Sequence, residues 1–210
     1  MRSQTLFRLS GWALTIGAAL FAIGYILKPG MDDVIQVYTN PLYIPAVTFS
    51  FLGALLVLVG LPALYAHQAS RAGILGLVSF VLVFLGLASL EIGSGPLLSI
   101  VSQMLAAEPA TQSIVASGGA LENNATFLVF YLPSLLTTNL GILLFGISTI
   151  RAGVFPRWAG WLMIAGVLLV FVVETVGIPL VMAGMAWCGL ALAGAAGQRT
   201  DLVETAAQAA

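Results

Sequence analysis

Hydrophobic positions along this chain gather into six long runs, at about 9–27, 43–65, 72–90, 126–150, 156–174 and 178–196, separated by short polar or glycine-bearing breaks. Each run approaches or exceeds the roughly 20 apolar residues that a helix needs to cross a hydrocarbon core of about 30 Å. None alternates with a period of two over ten residues, as the strands of a membrane barrel do; leucine, glycine and alanine follow one another without interruption. Lipid offers no partner to a backbone N–H or C=O, so each run must satisfy its own peptide groups and is expected to be helical. The expected fold is all-α: an integral membrane six-helix bundle forming a single transmembrane domain over 1–196, with a short, polar, irregular cytoplasmic tail at 197–210.

One long break stands out. The connection 91–125 between the third and fourth runs is long enough to be functional or partly structured. Within it Pro96 follows Ser94-Gly95 and suits the first position of a helix, and Leu97, Leu98, Val101, Met104 and Leu105 share a helical face opposite Ser99, Ser102 and Gln103. This predicts a short amphipathic helix over 96–107, lying on the membrane or covering the bundle, as a structural cap or as a substrate lid. A further helical turn over 109–117 is expected to end at Gly118-Gly119. Asn124-Ala125-Thr126 matches a glycosylation acceptor, which matters only along a eukaryotic secretory route.

Composition agrees with this reading: 60% of residues are hydrophobic and only 7% charged, with a mean hydropathy of +1.07, where soluble domains carry about a quarter charged residues. The net charge of −1 conceals an asymmetry. Arg2, Arg8, Arg71, Arg151, Arg157 and Arg199 all fall in breaks that an alternating path places on one side, and Lys28 is the exception. Asp32, Asp33, Glu91, Glu108, Glu122 and Glu174 fall on the other side. Arginine and lysine set orientation, so both termini are expected in the cytoplasm. Arg2 and Arg8 ahead of the first run resemble the start of a signal peptide, but the run exceeds the usual 7–15 residues of such a segment and lacks a small-residue cleavage site before Lys28-Pro29-Gly30. It reads as a retained anchor.

Internal similarity links the runs. Tyr43-Ile44-Pro45 and Leu52-Gly53 return 88 residues later as Tyr131-Leu132-Pro133 and Leu140-Gly141, and Arg71-Ala72-Gly73 returns as Arg151-Ala152-Gly153. At an offset of 149, Arg8, Gly11, Trp12, Gly17 and Leu20 match Arg157, Gly160, Trp161, Gly166 and Leu169. Duplication would make the protein three tandem helical hairpins, although helices drawn from so few residue types also share identities by chance. Repeats of this kind occur in many transporter folds.

The candidate chemistry is sparse. Ionisable residues inside a membrane are functional candidates, yet none lies at the centre of a run. Glu91 closes the third run and Glu174 the fifth, where water can solvate them. The most polar patch at membrane depth is Thr137-Thr138-Asn139, midway along the fourth run, with Asn139 expected to bond a neighbouring helix through Ser79, Ser50 or Thr48. Pro133 above it removes a helical donor and favours a kink. The candidate ligand-binding residues are therefore Asn139, Thr138, Thr137, Glu91 and Glu174, each also readable as helix glue or as a solvated helix end.

No catalytic residue, cofactor or metal site emerges. His67 is the only histidine, expected in a solvated turn at 66–70, and Cys188 the only cysteine, inside the last run. This rules out a bis-histidine haem within one chain and leaves a nucleophile without a second histidine as base. There is no phosphate loop or dinucleotide fingerprint, and nothing suggests nucleic acid as a partner. Trp12, Trp158 and Trp161, with Tyr43 and Tyr131 at the opposite ends, fit interfacial aromatic belts. Small residues four apart, at Ala13/Gly17, Ala18/Ala22 and Gly189/Ala193, permit close helix packing within the chain, with a protein partner or in a homo-oligomer.

Arg8-Leu-Ser-Gly-Trp12 at the first helix and Arg151-Ala-Gly-Val-Phe-Pro-Arg-Trp-Ala-Gly-Trp161 between the fourth and fifth resemble the uncharacterised bacterial multipass membrane proteins grouped as domains of unknown function. That resemblance implies a bacterial cytoplasmic (inner) membrane and carries no catalytic residue. Three functional classes follow from the residues. The first is a non-enzymatic accessory subunit or a binder of lipid or of a small apolar molecule. The second is a small-molecule transporter whose cavity opens outward. The third is a lipid-modifying enzyme using Glu91 and Glu174.

Overall fold

The computed structural model describes residues 3–30, 33–116 and 125–208, with side chains omitted at Ser3, Thr126 and 196–208. Arg2, Asp32, Gly118-Gly119, Glu122 and Asn124 lie outside the described residues, and nothing of the Arg199 side chain is described. The described residues form helices α1 (Ser3–Leu27), α2 (Val34–Thr39), α3 (Tyr43–Leu87), a π-helical turn (Ala88–Ser94), α4 (Gly95–Ala107), α5 (Gln112–Ala116), α6 (Ala125–Ala152), α7 (Arg157–Val170) and α8 (Glu174–Gln208). Four stretches are long and apolar enough to cross a membrane: Gln4–Leu27, Tyr43–Ala107, Phe127–Ala152 and Glu174–Ala195; Arg157–Val170 is a shorter apolar helix.

The second and third runs belong to one element, α3, which breaks at Gly73. Its φ of 58° and ψ of −152° are open to glycine and strained for other residues. Tyr65 and Phe80, on either side of the break, stack with ring centroids 4.8 Å apart. A straight helix would separate them by roughly 22 Å, so the two arms of α3 fold back on one another. Residues 66–70 are accordingly helix rather than the expected turn. His67 is half-buried between Phe7 and Phe155, at centroid distances of 6.0 and 5.6 Å, rather than solvated. The matching triplet behaves alike: Gly153 ends α6 with φ 62° and its N–H donates to the Thr149 carbonyl at 3.3 Å.

The helices close into a ring. α1 packs on α3 and α8, the second arm of α3 on α6, α6 on α7, and α7 on α8. Glycines hold the neighbours at backbone contact. A Cβ on Gly11 would lie 2.7 Å from the Gly189 carbonyl, one on Gly17 2.8 Å from that of Gly53, one on Gly160 2.7 Å from that of Gly146, and one on Gly166 2.7 Å from that of Gly177. The small-residue faces at Gly17 and at Gly189/Ala193 are thus used inside the chain. Outward faces are apolar and exposed, as at Ile16, Val59, Leu85, Leu136 and Leu168. Trp12, Trp158 and Trp161 are exposed too, in keeping with a belt.

Contacts of Phe7 and Phe155 with His67 place the start of α1 and the Gly73 and Gly153 turns at one end of the ring. Arg8, Arg71, Arg151 and Arg157 are therefore at that end, all exposed. Its interior is solid: Leu14, Leu61, Leu64, Phe145, Met163, Met185 and Leu192 are fully buried or nearly so, as is Cys188.

Three boundaries differ from expectation. α7 stops at Val170, with Val173 N–H turning back to the Leu169 carbonyl at 2.7 Å, so Glu174 opens α8 rather than closing the previous helix. A carboxylate is favoured there, at the positive end of the helix dipole. Glu91 sits inside the π-helical turn and leads on to α4 instead of ending a helix; Pro96, which has no N–H, prevents an ordinary helical bond at this point. The tail, expected to be irregular, is helical as far as Gln208.

The expected helix over 96–107 is present as α4, with Pro96 in its first turn. Its exposed large apolar residues are Leu97, Ile100 and Met104, while Leu98 turns inward beside Ser99, so the apolar face is rotated from the sequence expectation. Sequence reading missed α2, although Asp33 is a capping residue whose side chain accepts the Ile35 N–H at 2.9 Å. α2, α4 and α5 pack together over the end of the ring opposite the arginines.

Candidate functional site

Beneath that cover the ring encloses a cavity of about 490 Å³, partly open to the exterior. All the helices of the ring contribute: Phe21 and Tyr25 from α1, Ser50 from the first arm of α3, Leu87 from the second, Thr138 and Asn139 from α6, Val170 from α7, and Val181 from α8. The covering helices α2 and α4 supply Tyr38 and Ser99. Its inner end is apolar and buried, at Leu87, Ile142, Val181 and Met182.

Four of the five candidates from sequence meet here. Glu91, Glu174, Thr138 and Asn139 all line the wall, whereas Thr137 does not. Tyr25 and Tyr131 share that wall with the two carboxylates. Lys28, exposed at the mouth, holds its ammonium 5.6 Å from the Tyr25 ring centroid and attracts Glu91. These groups came from separate segments: the end of α1, the π-helical turn, α6 and the start of α8.

The polar patch on the α6 wall differs from expectation in its bonding. Asn139 donates through Nδ2 to the Leu135 carbonyl at 2.9 Å, and Thr138 donates to the Ser134 carbonyl at 2.7 Å, so both bond within α6. Of the three foreseen partners, Ser79 donates to the Gly76 carbonyl in its own helix, Thr48 is exposed, and Ser50 lines the cavity. Crossing bonds are replaced by close packing: a Cβ on Gly86 would touch Thr138 at 2.6 Å. A carboxamide has two donors and an acceptor, and only one donor of Asn139 is committed to that helical carbonyl.

Tyr43 and Tyr131, expected in an aromatic belt, belong to the cavity instead; Tyr43 is only 3% exposed. The 88-residue offset contains the signal that would have found them. Tyr43/Tyr131, Val47/Leu135, Ser50/Thr138 and Phe51/Asn139 are equivalent pairs, and every member lines the cavity. At the offset of 149, Phe21/Val170 and Tyr25/Glu174 do so as well.

Among the described residues, no three His, Cys, Asp or Glu side chains come together where a metal ion could be held. No family model, curated protein or solved structure matches the chain.

Proposed function

We propose that this chain is a multipass protein of the bacterial inner membrane that binds one small amphiphilic molecule in the cavity, without transforming it. Six crossings follow if the two arms of α3 and the shorter α7 each span the bilayer. Both termini then lie in the cytoplasm, with the arginine-bearing end of the ring inside. Two exposed positions test the topology. Cysteines at Arg8→Cys and Arg71→Cys should react from the same side of intact cells, and reaction from opposite sides defeats the arrangement. Cys188 is buried and leaves the background silent.

The observation that carries the binding reading is the cavity itself, which reaches from the covering helices to Asn139 midway along α6. Its volume lies within the roughly 300–1,000 Å³ typical of small-molecule sites, and such sites pair apolar walls with a few placed polar groups. The neutral fluorophore N-phenyl-1-naphthylamine should bind the purified protein saturably. Leu135→Trp, which fills the cavity from its wall, should abolish this with little change in melting temperature. Equal binding by the variant sinks the reading.

The same depth favours a second reading as a transporter, because a blind cavity ending at mid-helix has the form of one state of an alternating-access cycle. In that case proteoliposomes should take up the ligand, and Asn139→Ala should abolish uptake without lowering expression. Binding without uptake leaves the first reading.

A further inference from the structure

The wall chemistry is uneven in a way that selects a ligand. Among the described residues, three ionisable groups other than tyrosine line the cavity: Glu91, Glu174 and Lys28. When all three are ionised, two carboxylates against one ammonium give these groups a net charge of −1. Aromatic rings line the same cavity, with Tyr25 and Tyr131 on the ring helices, Phe171 in the turn after α7 and Tyr38 on α2. Ring faces attract cations, more strongly when water is excluded.

The protein already presents one cation to this surface. Lys28, from the mouth, places its ammonium over the Tyr25 ring at 5.6 Å while drawn to Glu91. It is exposed, on a flexible stem, and can withdraw. Deeper in, the wall turns apolar at Leu87, Ile142, Val181 and Met182, all at most 5% exposed. A ligand complementary to this gradient has a positive head at the carboxylates and an apolar body pointing toward Ile142.

We infer that the cavity is selective for an organic monocation, an amine or quaternary ammonium on an apolar body, whose head takes the place of the Lys28 ammonium over the Tyr25 ring, on the wall that also carries Glu91 and Glu174. This rests on the binding function proposed above and names the ligand class of that same site. The surplus carboxylate supplies the charge selectivity, and the rings supply a face that a weakly hydrated cation prefers to water.

The test uses benzyltrimethylammonium and its neutral isostere neopentylbenzene, measured by displacement of N-phenyl-1-naphthylamine from the purified full-length protein. The cation should bind tighter by about tenfold or more. Glu91→Gln together with Glu174→Gln should bring the two compounds to near equality, with a cooperative thermal unfolding transition showing that the variant is folded. Lys28→Met should strengthen cation binding several-fold by removing the competitor. Equal affinity of the two compounds for the native protein overturns the cation inference and leaves the binding function standing, whereas failure of both compounds and of the fluorophore overturns the two together. An ammonium head is carried both by free amines and by aminolipids. Sphingosine, a single-chain aminolipid that is a monocation at neutral pH, identifies a lipid source if it displaces benzyltrimethylammonium and a free amine if it does not; either result upholds the cationic head once selectivity is seen.

Discussion

The two ends of the ring are equally tight where helices meet and opposite in what they enclose. At the arginine-bearing end Gly11 lies against Gly189, and the interior is filled by Leu14, Leu61, Phe145 and Met185. At the other end Gly24 lies just as close to α3, where a Cβ would be 2.6 Å from the Ala46 carbonyl, yet the interior is a cavity with tyrosines, carboxylates and an amide on its wall. A cavity left by loose packing would have helices standing apart around it. Here the backbones touch, so the space comes from the choice of inward side chains, as expected of a binding site.

The largest effect expected from this contrast is on core truncation. Phe145→Ala in the solid end removes a side chain with no exposure and should cost about 3–5 kcal/mol. Phe51→Ala borders space that is already empty and should cost less than about 1 kcal/mol, since no new closed void forms. Thermal unfolding in detergent gives both values. Similar losses at the two positions would mean that the cavity is filled or collapsed in solution.

Rim tightness comes next. Gly11→Ala and Gly24→Ala each push a methyl into backbone on the neighbouring helix, and each should destabilise by about 1–3 kcal/mol. A harmless Gly24→Ala would break the comparison, because the cavity end would then be slack.

Much of this was legible in the sequence, and the exceptions have physical causes. Helix positions follow from apolar runs, and the arginine asymmetry divides the ends of the ring. Gly73 and Gly153 were visible as repeated triplets, but their left-handed backbones could not be read from identity alone. Glu174 was misassigned because the apolar Phe171-Val172-Val173 continues the run across a real turn; hydrophobicity marks what lipid accepts, not where a helix reverses. Asn139 was expected to bond across helices, since sequence cannot tell a bond to a neighbour from one to the carbonyl four residues back. Tyr43 and Tyr131 were placed at an interface by their distance along the helix, which carries no information on which face turns inward.

The solid end contains polar exceptions to its apolar filling, and they sharpen the contrast with the cavity. Gln68 is fully buried, and neither its Nε2 nor its Oε1 has a hydrogen-bond partner; the hydroxyls of Ser148 and Thr149 are in the same condition. An unsatisfied buried polar group costs about 1–3 kcal/mol. Gln68→Met keeps the shape and removes the polarity, so it should stabilise the protein by about 1 kcal/mol or more. Destabilisation would show that Gln68 is satisfied by buried water, and that this end is wetter than its packing suggests.

The smallest effects separate a glycine needed for contact or conformation from one that serves neither. Gly194, in α8, has nothing within 4 Å of the place a methyl would occupy and an ordinary helical backbone, so Gly194→Ala should stabilise by about 0.5–1 kcal/mol through reduced freedom of the unfolded chain. Gly73 has equal space around it, but its φ of 58° disfavours any side chain, and Gly73→Ala should destabilise by about 1–2 kcal/mol. The two substitutions add the same methyl into open space, so opposite signs in the unfolding midpoint isolate backbone conformation from packing. Gly153→Ala should behave as Gly73→Ala does, since its φ is 62° and its surroundings are also open. Unlike responses at the two turns would show that the repeated Arg-Ala-Gly triplets share residues without sharing a structural role, and would remove the turns from the case for a duplicated hairpin.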